Sequence, residues 1–120
     1  MSKKTLVFGA SLKEARYSYK AIVKLHSFNH EVVAYGLRYG NIDGVVIDDI
    51  KKKYDGIDTI TLYMNPERQR EHYSYLISLQ PKRVLFNPGT ENLEFYELLK
   101  ENGIFYEQAC TLVLLSTNQY

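Results

Sequence analysis

A chain of 120 residues is long enough to bury one sheet with helices on its faces and too short for a second catalytic lobe, so residues 1–120 read as a single domain. Its 45% hydrophobic and 24% charged residues are ordinary for a soluble globular protein. A net charge of +1 supplies no general attraction to nucleic acid or to an anionic membrane, so any basic site must be local.

The start, Met1-Ser2-Lys3-Lys4, has no apolar core of the signal-peptide kind, and the run from Leu112 to Leu115 is far too short to cross a bilayer; the expected location is cytoplasmic. A first strand over 4–9 carries Leu6-Val7-Phe8 and ends in Gly9-Ala10-Ser11. After it, Arg16-Tyr17-Ser18 leads into a segment with helical apolar spacing at Ala21, Ile22, Leu25 and Phe28. Short runs of branched and aromatic residues predict strands near 31–35, 45–47 and 58–63. Asn65-Pro66-Glu67 then combines a capping side chain, a proline where its missing N–H costs nothing and an acidic first turn. It predicts a helix from Pro66 to about Leu79 with Tyr73, Leu76 and Ile77 on its apolar face. A strand follows at 82–86, and then a helix capped by Thr90 that carries Phe95, Leu98 and Leu99 and stops at Asn102-Gly103. After a strand at 104–107, the stretch Cys110 to Thr117 is apolar without a decisive period and is read as a terminal helix rather than an edge strand. This alternation predicts an α/β fold with a mostly parallel sheet covered by helices on both faces.

In such a sheet ligands bind beyond the carboxyl ends of the strands, near the point where chain order reverses. Those ends are Gly9-Ala10-Ser11, Tyr35-Gly36-Leu37-Arg38, Met64-Asn65-Pro66 and Asn87-Pro88-Gly89-Thr90. The first leads toward a helix start and so offers backbone N–H groups to phosphate oxygens, with Arg16 able to add a bidentate charge. The turn lacks the glycines of G-x-G-x-x-G, and where an NAD site needs an acidic residue after the second strand, this chain has Tyr35-Gly36 and then Arg38. An arginine there suits the extra phosphate of NADP or coenzyme A, or is a solvated loop cation; charge alone does not separate the two. Ser18 reads about equally as a phosphate contact and as the N-cap of the helix carrying Ala21 and Leu25.

Other residues have plainer readings. Cys110 has no histidine near it in sequence to activate its thiol and is expected to be a buried small hydrophobe. His26, His30 and His72 do not form a ligand-spaced set, so no metal site is expected. Lys51-Lys52-Lys53 reads as a solvated face rather than a nucleic-acid patch. Among eleven tyrosines, Tyr63 and Tyr73 are expected to bury their rings between sheet and helix.

Val7-Phe8-Gly9-Ala10-Ser11, Arg16-Tyr17-Ser18-Tyr19, the strand from Asp58 to Leu62 with Asn65-Pro66-Glu67, Asn87-Pro88-Gly89 and the late Cys110 together resemble the small stand-alone CoA-binding domain proteins. These are Rossmann-like relatives of the amino-terminal domain of succinyl-CoA synthetase alpha subunits, and the likeness spans nearly the whole chain. It implies a single three-layer domain holding coenzyme A or an acyl-CoA across the strand ends. The pyrophosphate would lie at Gly9, Ala10, Ser11 and the helix start near Ser18, and Arg16 would add charge. The adenosine portion would face Arg38, with Met64, Asn65 and Pro66 lining the other side.

No nucleophile, general base or metal set stands out, so the leading expectation is non-catalytic binding of coenzyme A. A small oxidoreductase component using NADP, and an interaction protein with a vestigial site that dimerises through tyrosine-rich surface, are the competing expectations. A homodimer or an unidentified protein partner stays open. A phospho-acceptor receiver domain is disfavoured, because its first strand must end in an acidic pair for magnesium.

Overall fold

The computed structural model describes residues 2–120. Seven strands form one sheet: β1 (Thr5–Ala10), β2 (Val32–Gly36), β3 (Gly40–Ile42), β4 (Val45–Asp48), β5 (Thr59–Leu62), β6 (Arg83–Phe86) and β7 (Phe105–Gln108). Their order is β3-β4-β2-β1-β5-β6-β7; every neighbouring pair is parallel except the β3–β4 hairpin. The chain leaves β1 toward β2 and β4 and later re-enters at β5 on the opposite side of β1. The order therefore reverses between β1 and β5, where an open α/β sheet offers its ligand crevice.

The central strands are apolar nearly throughout because both of their faces are covered. On one face Val7, Ala34 and Ile47 pack with Ile22 and Leu25 of α1 (Tyr17–Ser27) and Leu115 of α5 (Thr111–Ser116). On the other, Leu6, Phe8, Ile60, Leu62, Val84 and Phe86 meet Leu76 of α3 (Tyr73–Ser78) and Phe95 and Leu99 of α4 (Leu93–Glu101). Helix, sheet and helix make the three layers of a Rossmann-like α/β fold, as the alternation of signals predicts. The terminal stretch is helical, and Gly103 takes the positive φ (68°) that ends α4. No helix among the described residues is long and apolar enough to cross a membrane.

Four local expectations fail for identifiable reasons. The hairpin strand β3 is absent from the sequence reading; Asn41 Oδ1 accepts from Gly44 N–H, and Asp43 and Gly44 both take positive φ (53° and 89°), as a two-residue hairpin turn requires. The helix expected over Pro66–Leu79 starts as read, with Asn65 Oδ1 accepting from Arg68 N–H, but it is broken. A short α2 (Pro66–Gln69) passes through a 3-10 turn (Arg70–His72) before α3. Gln69 and His72, three residues apart, are both buried, and three residues per turn aligns such a pair on one face. Asn92, not Thr90, caps α4: its Oδ1 accepts from Phe95 N–H, while the Thr90 hydroxyl donates to the Asn87 carbonyl. Phe28 falls just beyond the end of α1 and is exposed, so the apolar face of that helix is Ala21, Ile22 and Leu25.

Candidate functional site

The carboxyl ends of β1, β2, β5 and β6 and the start of α5 enclose a cleft of about 740 Å³, within the ~300–1,000 Å³ of typical small-molecule sites. Its floor depends on two glycines. Gly9 sits at a register shift between Phe8 and Ala10 with φ 97°, and a Cβ there would stand 3.1 Å from the carbonyl carbon of Tyr63. The turns after β1 and β5 consequently abut. At Gly36, the partner of Ala10 across the β1–β2 ladder, a Cβ would lie 2.1 Å from the Ala10 carbonyl oxygen, so no larger residue lets β2 run alongside β1.

The turn after β1 holds its own shape. Ser11 N–H donates to Ser18 Oγ at 3.1 Å, Lys13 N–H to Ser11 Oγ at 3.1 Å, and Arg16 N–H to the Lys13 carbonyl at 3.0 Å. Ser18 is therefore not the helix cap; it lies inside α1, buried, and ties the turn down from there, while Arg16 occupies the cap position without a side-chain capping bond. The donors left over are the N–H groups of Tyr17, Ser18 and Tyr19, which have no hydrogen-bond partner among the described residues, and the two serine hydroxyl protons. A helix start with three free donors in an 11-residue helix favours an anion through both hydrogen bonding and the helix dipole.

Four cations surround this point. Lys13 and Arg16 rise from the β1–α1 turn, Arg38 from the turn after β2 and Arg68 from α2; all line the cleft and are exposed. Among the described residues none of them forms an ion pair with a carboxylate. With a net charge of only +1 for the whole chain, these four side chains are a local concentration of positive charge.

Of the residues singled out from the sequence, Gly9, Ala10, Ser11, Arg16, Ser18, Arg38, Met64 and Asn65 all line the cleft; Pro66 stands outside the lining as the first residue of α2. Lys13 and Arg68 also line the cleft but are not singled out in the sequence, while Tyr17 enters there only as part of the Arg16-Tyr17-Ser18 motif and His72 only as a rejected metal ligand. Arg68 had a readable signal: it is the third residue after a capping asparagine that ends a strand-to-helix turn. Cys110 is half-buried and lines the cleft, so it is not the fully buried hydrophobe expected; it precedes α5, whose position the fold alone sets.

His72 is held in the wall. Its Nδ1 lies 3.2 Å from Lys51 Nζ and its Nε2 3.2 Å from Glu71 Oε1, a neutral ring accepting from one side and donating to the other. Burial lowers its pKa, and the Lys51 ammonium adds to that. Of the lysine run, Lys51 thus serves His72 while Lys52 pairs with Asp48 at 2.9 Å; all three remain exposed. The Tyr63 ring packs under α1 and α5, and burial pushes its pKa up to about 12; Tyr73 stacks on Phe95 at 4.5 Å. No group of three or more metal-ligating side chains occurs among the described residues.

A family model described as a CoA binding domain matches residues 3–116. A solved structure of an uncharacterized protein is 46% identical, with a TM-score of 0.96, and the alignment covers 100% of this chain and 99% of that one. The structure of cell-free ID.343 from Thermus thermophilus is 20% identical (TM-score 0.84, 99% and 91% covered), and that of Prb, the PH1109 protein redesigned for binding, is 21% identical (TM-score 0.80, 99% and 86% covered); both share the fold. No curated protein matches.

Proposed function

Because this chain belongs to the CoA binding domain family, we propose that its cleft binds coenzyme A or an acyl-CoA without itself carrying out chemistry on it. One observation carries the reading: the start of α1 has unpartnered N–H groups at Tyr17, Ser18 and Tyr19, and Tyr17 and Ser18 line the same cleft as Lys13, Arg16, Arg38 and Arg68. A neutral metabolite would leave those cations and donors unused, whereas coenzyme A brings a diphosphate and a separate ribose phosphate.

The diphosphate lies over Gly9, Ala10 and Ser11 at the α1 start, gripped by Arg16. The ribose phosphate meets Arg38 beyond β2, and Met64 and Asn65 line the other side of the nucleotide. Binding alone fits the side chains available. His72 is engaged by Lys51 and Glu71, and Cys110 forms no hydrogen bond to a histidine among the described residues, so no thiol–base pair is in place.

Thermal unfolding with coenzyme A, acetyl-CoA, NADP, NAD and ADP tests this. At one hundred times its dissociation constant a ligand stabilises by ~2.7 kcal/mol, roughly a 10 °C rise in Tm for a chain of this size. The expected result is that the CoA species give the largest rise and that Arg16→Gln flattens it while leaving the unliganded Tm unchanged. A larger rise with NADP would transfer the site to a phosphorylated dinucleotide, and no rise with millimolar CoA species would end the reading.

A further inference from the structure

The α1 side of the cleft accounts for one wall; the opposite wall, where α2 rises from the end of β5, holds a cation with no evident structural duty. Resting on the coenzyme A reading, we propose that Arg68 closes on the ligand's diphosphate from that wall, facing the α1 start, so that the phosphates are clamped from both sides of the crevice.

Its surroundings support this role. Arg68 is in reach of acidic neighbours in sequence, yet each nearby carboxylate that makes a contact makes it elsewhere. Glu94 takes Arg70 Nε at 3.1 Å and the Tyr73 hydroxyl at 3.0 Å, and Glu71 lies against His72 Nε2. The backbone carrying Arg68 is rigid. Its N–H is held by Asn65 Oδ1 at 2.9 Å, and the next residue, Gln69, is fully buried. The Gln69 amide donates to the carbonyls of Met64 (2.9 Å) and Thr90 (2.8 Å) and accepts from Asn92 Nδ2 (2.9 Å). The fixed base limits where the guanidinium can reach, while the exposed side chain still gives up rotamer freedom when it engages an anion.

Position points to the diphosphate rather than another part of the ligand. The Gly9 turn abuts Tyr63 and Met64; α1 packs on one face of the sheet and α3, which continues from α2, on the other, and Arg68 lines the same cleft as Arg16, Tyr17 and Ser18. The nearby ring, His72, is neutral and offers the ligand no competing positive charge; the charged groups facing it are Lys51, Glu71 and Arg68 itself.

Calorimetric titration of the full chain and its Arg68→Gln and Arg68→Lys variants with coenzyme A, ADP and adenosine tests the clamp. A charge-assisted contact to phosphate implies a loss of about 10- to 100-fold in affinity. The expected result is that Arg68→Gln weakens coenzyme A and ADP by the same factor, leaves adenosine and the unliganded Tm unchanged, and is partly rescued by lysine. Equal coenzyme A affinity in parent and Arg68→Gln would overturn the proposal, as would a loss confined to coenzyme A with ADP unaffected. If the parent binds no coenzyme A, the underlying reading fails instead, and the two failures are distinct.

Discussion

Gly36→Ala is expected to destabilise the protein by about 3 kcal/mol or more, at the upper end of what overpacking costs. The new Cβ would stand 2.1 Å from the Ala10 carbonyl oxygen, and neither atom can yield, because both belong to the ladder that joins β1 to β2. Gly40 makes the contrast. A Cβ there meets the end of the Leu12 side chain at 2.6 Å, an exposed group that can turn away, so Gly40→Ala should cost under about 1 kcal/mol. Urea unfolding of the two variants decides the matter: comparable midpoints would mean that the β1–β2 contact is not the tight one described. Since Gly36 also floors the cleft, the same ladder that stabilises the sheet holds the turn after β2, with Arg38, beside the turn after β1.

Asn87→Ala is expected to cost about 3 kcal/mol. Asn87 is buried at the end of β6; its Nδ2 donates to Thr61 Oγ1 at 2.7 Å and to the Leu62 carbonyl at 2.9 Å, and its Oδ1 accepts from Thr111 N–H at 2.9 Å. Truncation strands the Leu62 carbonyl and the Thr111 N–H, each worth ~1–3 kcal/mol when left unpaired in the interior. Thr61 retains the Thr111 hydroxyl at 2.8 Å. Asn87→Asp should be no better, because a carboxylate oxygen would then face the Leu62 carbonyl. The link spans β5, β6 and the first residue of α5, so amide exchange at Thr111 should accelerate in the variant; unchanged exchange would show that α5 is anchored by other contacts.

These two residues show what a sequence read by period and turn signals can reach. The strands that form the cleft are legible because each is a short branched or aromatic run ended by glycine, proline or asparagine, and Gly9, Ser11, Arg16 and Arg38 follow from that punctuation. Elements held by long-range polar contacts are not. Gln69 carries no signal in the period or turn pattern, yet its buried amide joins α2 to the β5 and β6 turns and accompanies the break in the expected helix. Ser18 reads as a cap, but its acceptor duty is to Ser11, seven residues earlier. Strand β3 escapes because three residues, Gly-Asn-Ile, carry a single apolar side chain; the Asp43-Gly44 pair after it was the usable signal for a hairpin. Arg68 is invisible to charge counting in a chain where acids and bases nearly balance, and only the structure shows that Glu71 and Glu94 are engaged by other side chains.

The unpartnered N–H groups of Tyr17, Ser18 and Tyr19, with the cations around them, are expected to form a seat for a diphosphate. A crystal structure grown with saturating coenzyme A tests it most directly. The expected result is the diphosphate within hydrogen-bonding distance of those three amides and of Arg16, with the ribose phosphate at Arg38. Coenzyme A bound at another surface while the α1 start faces only solvent would contradict it.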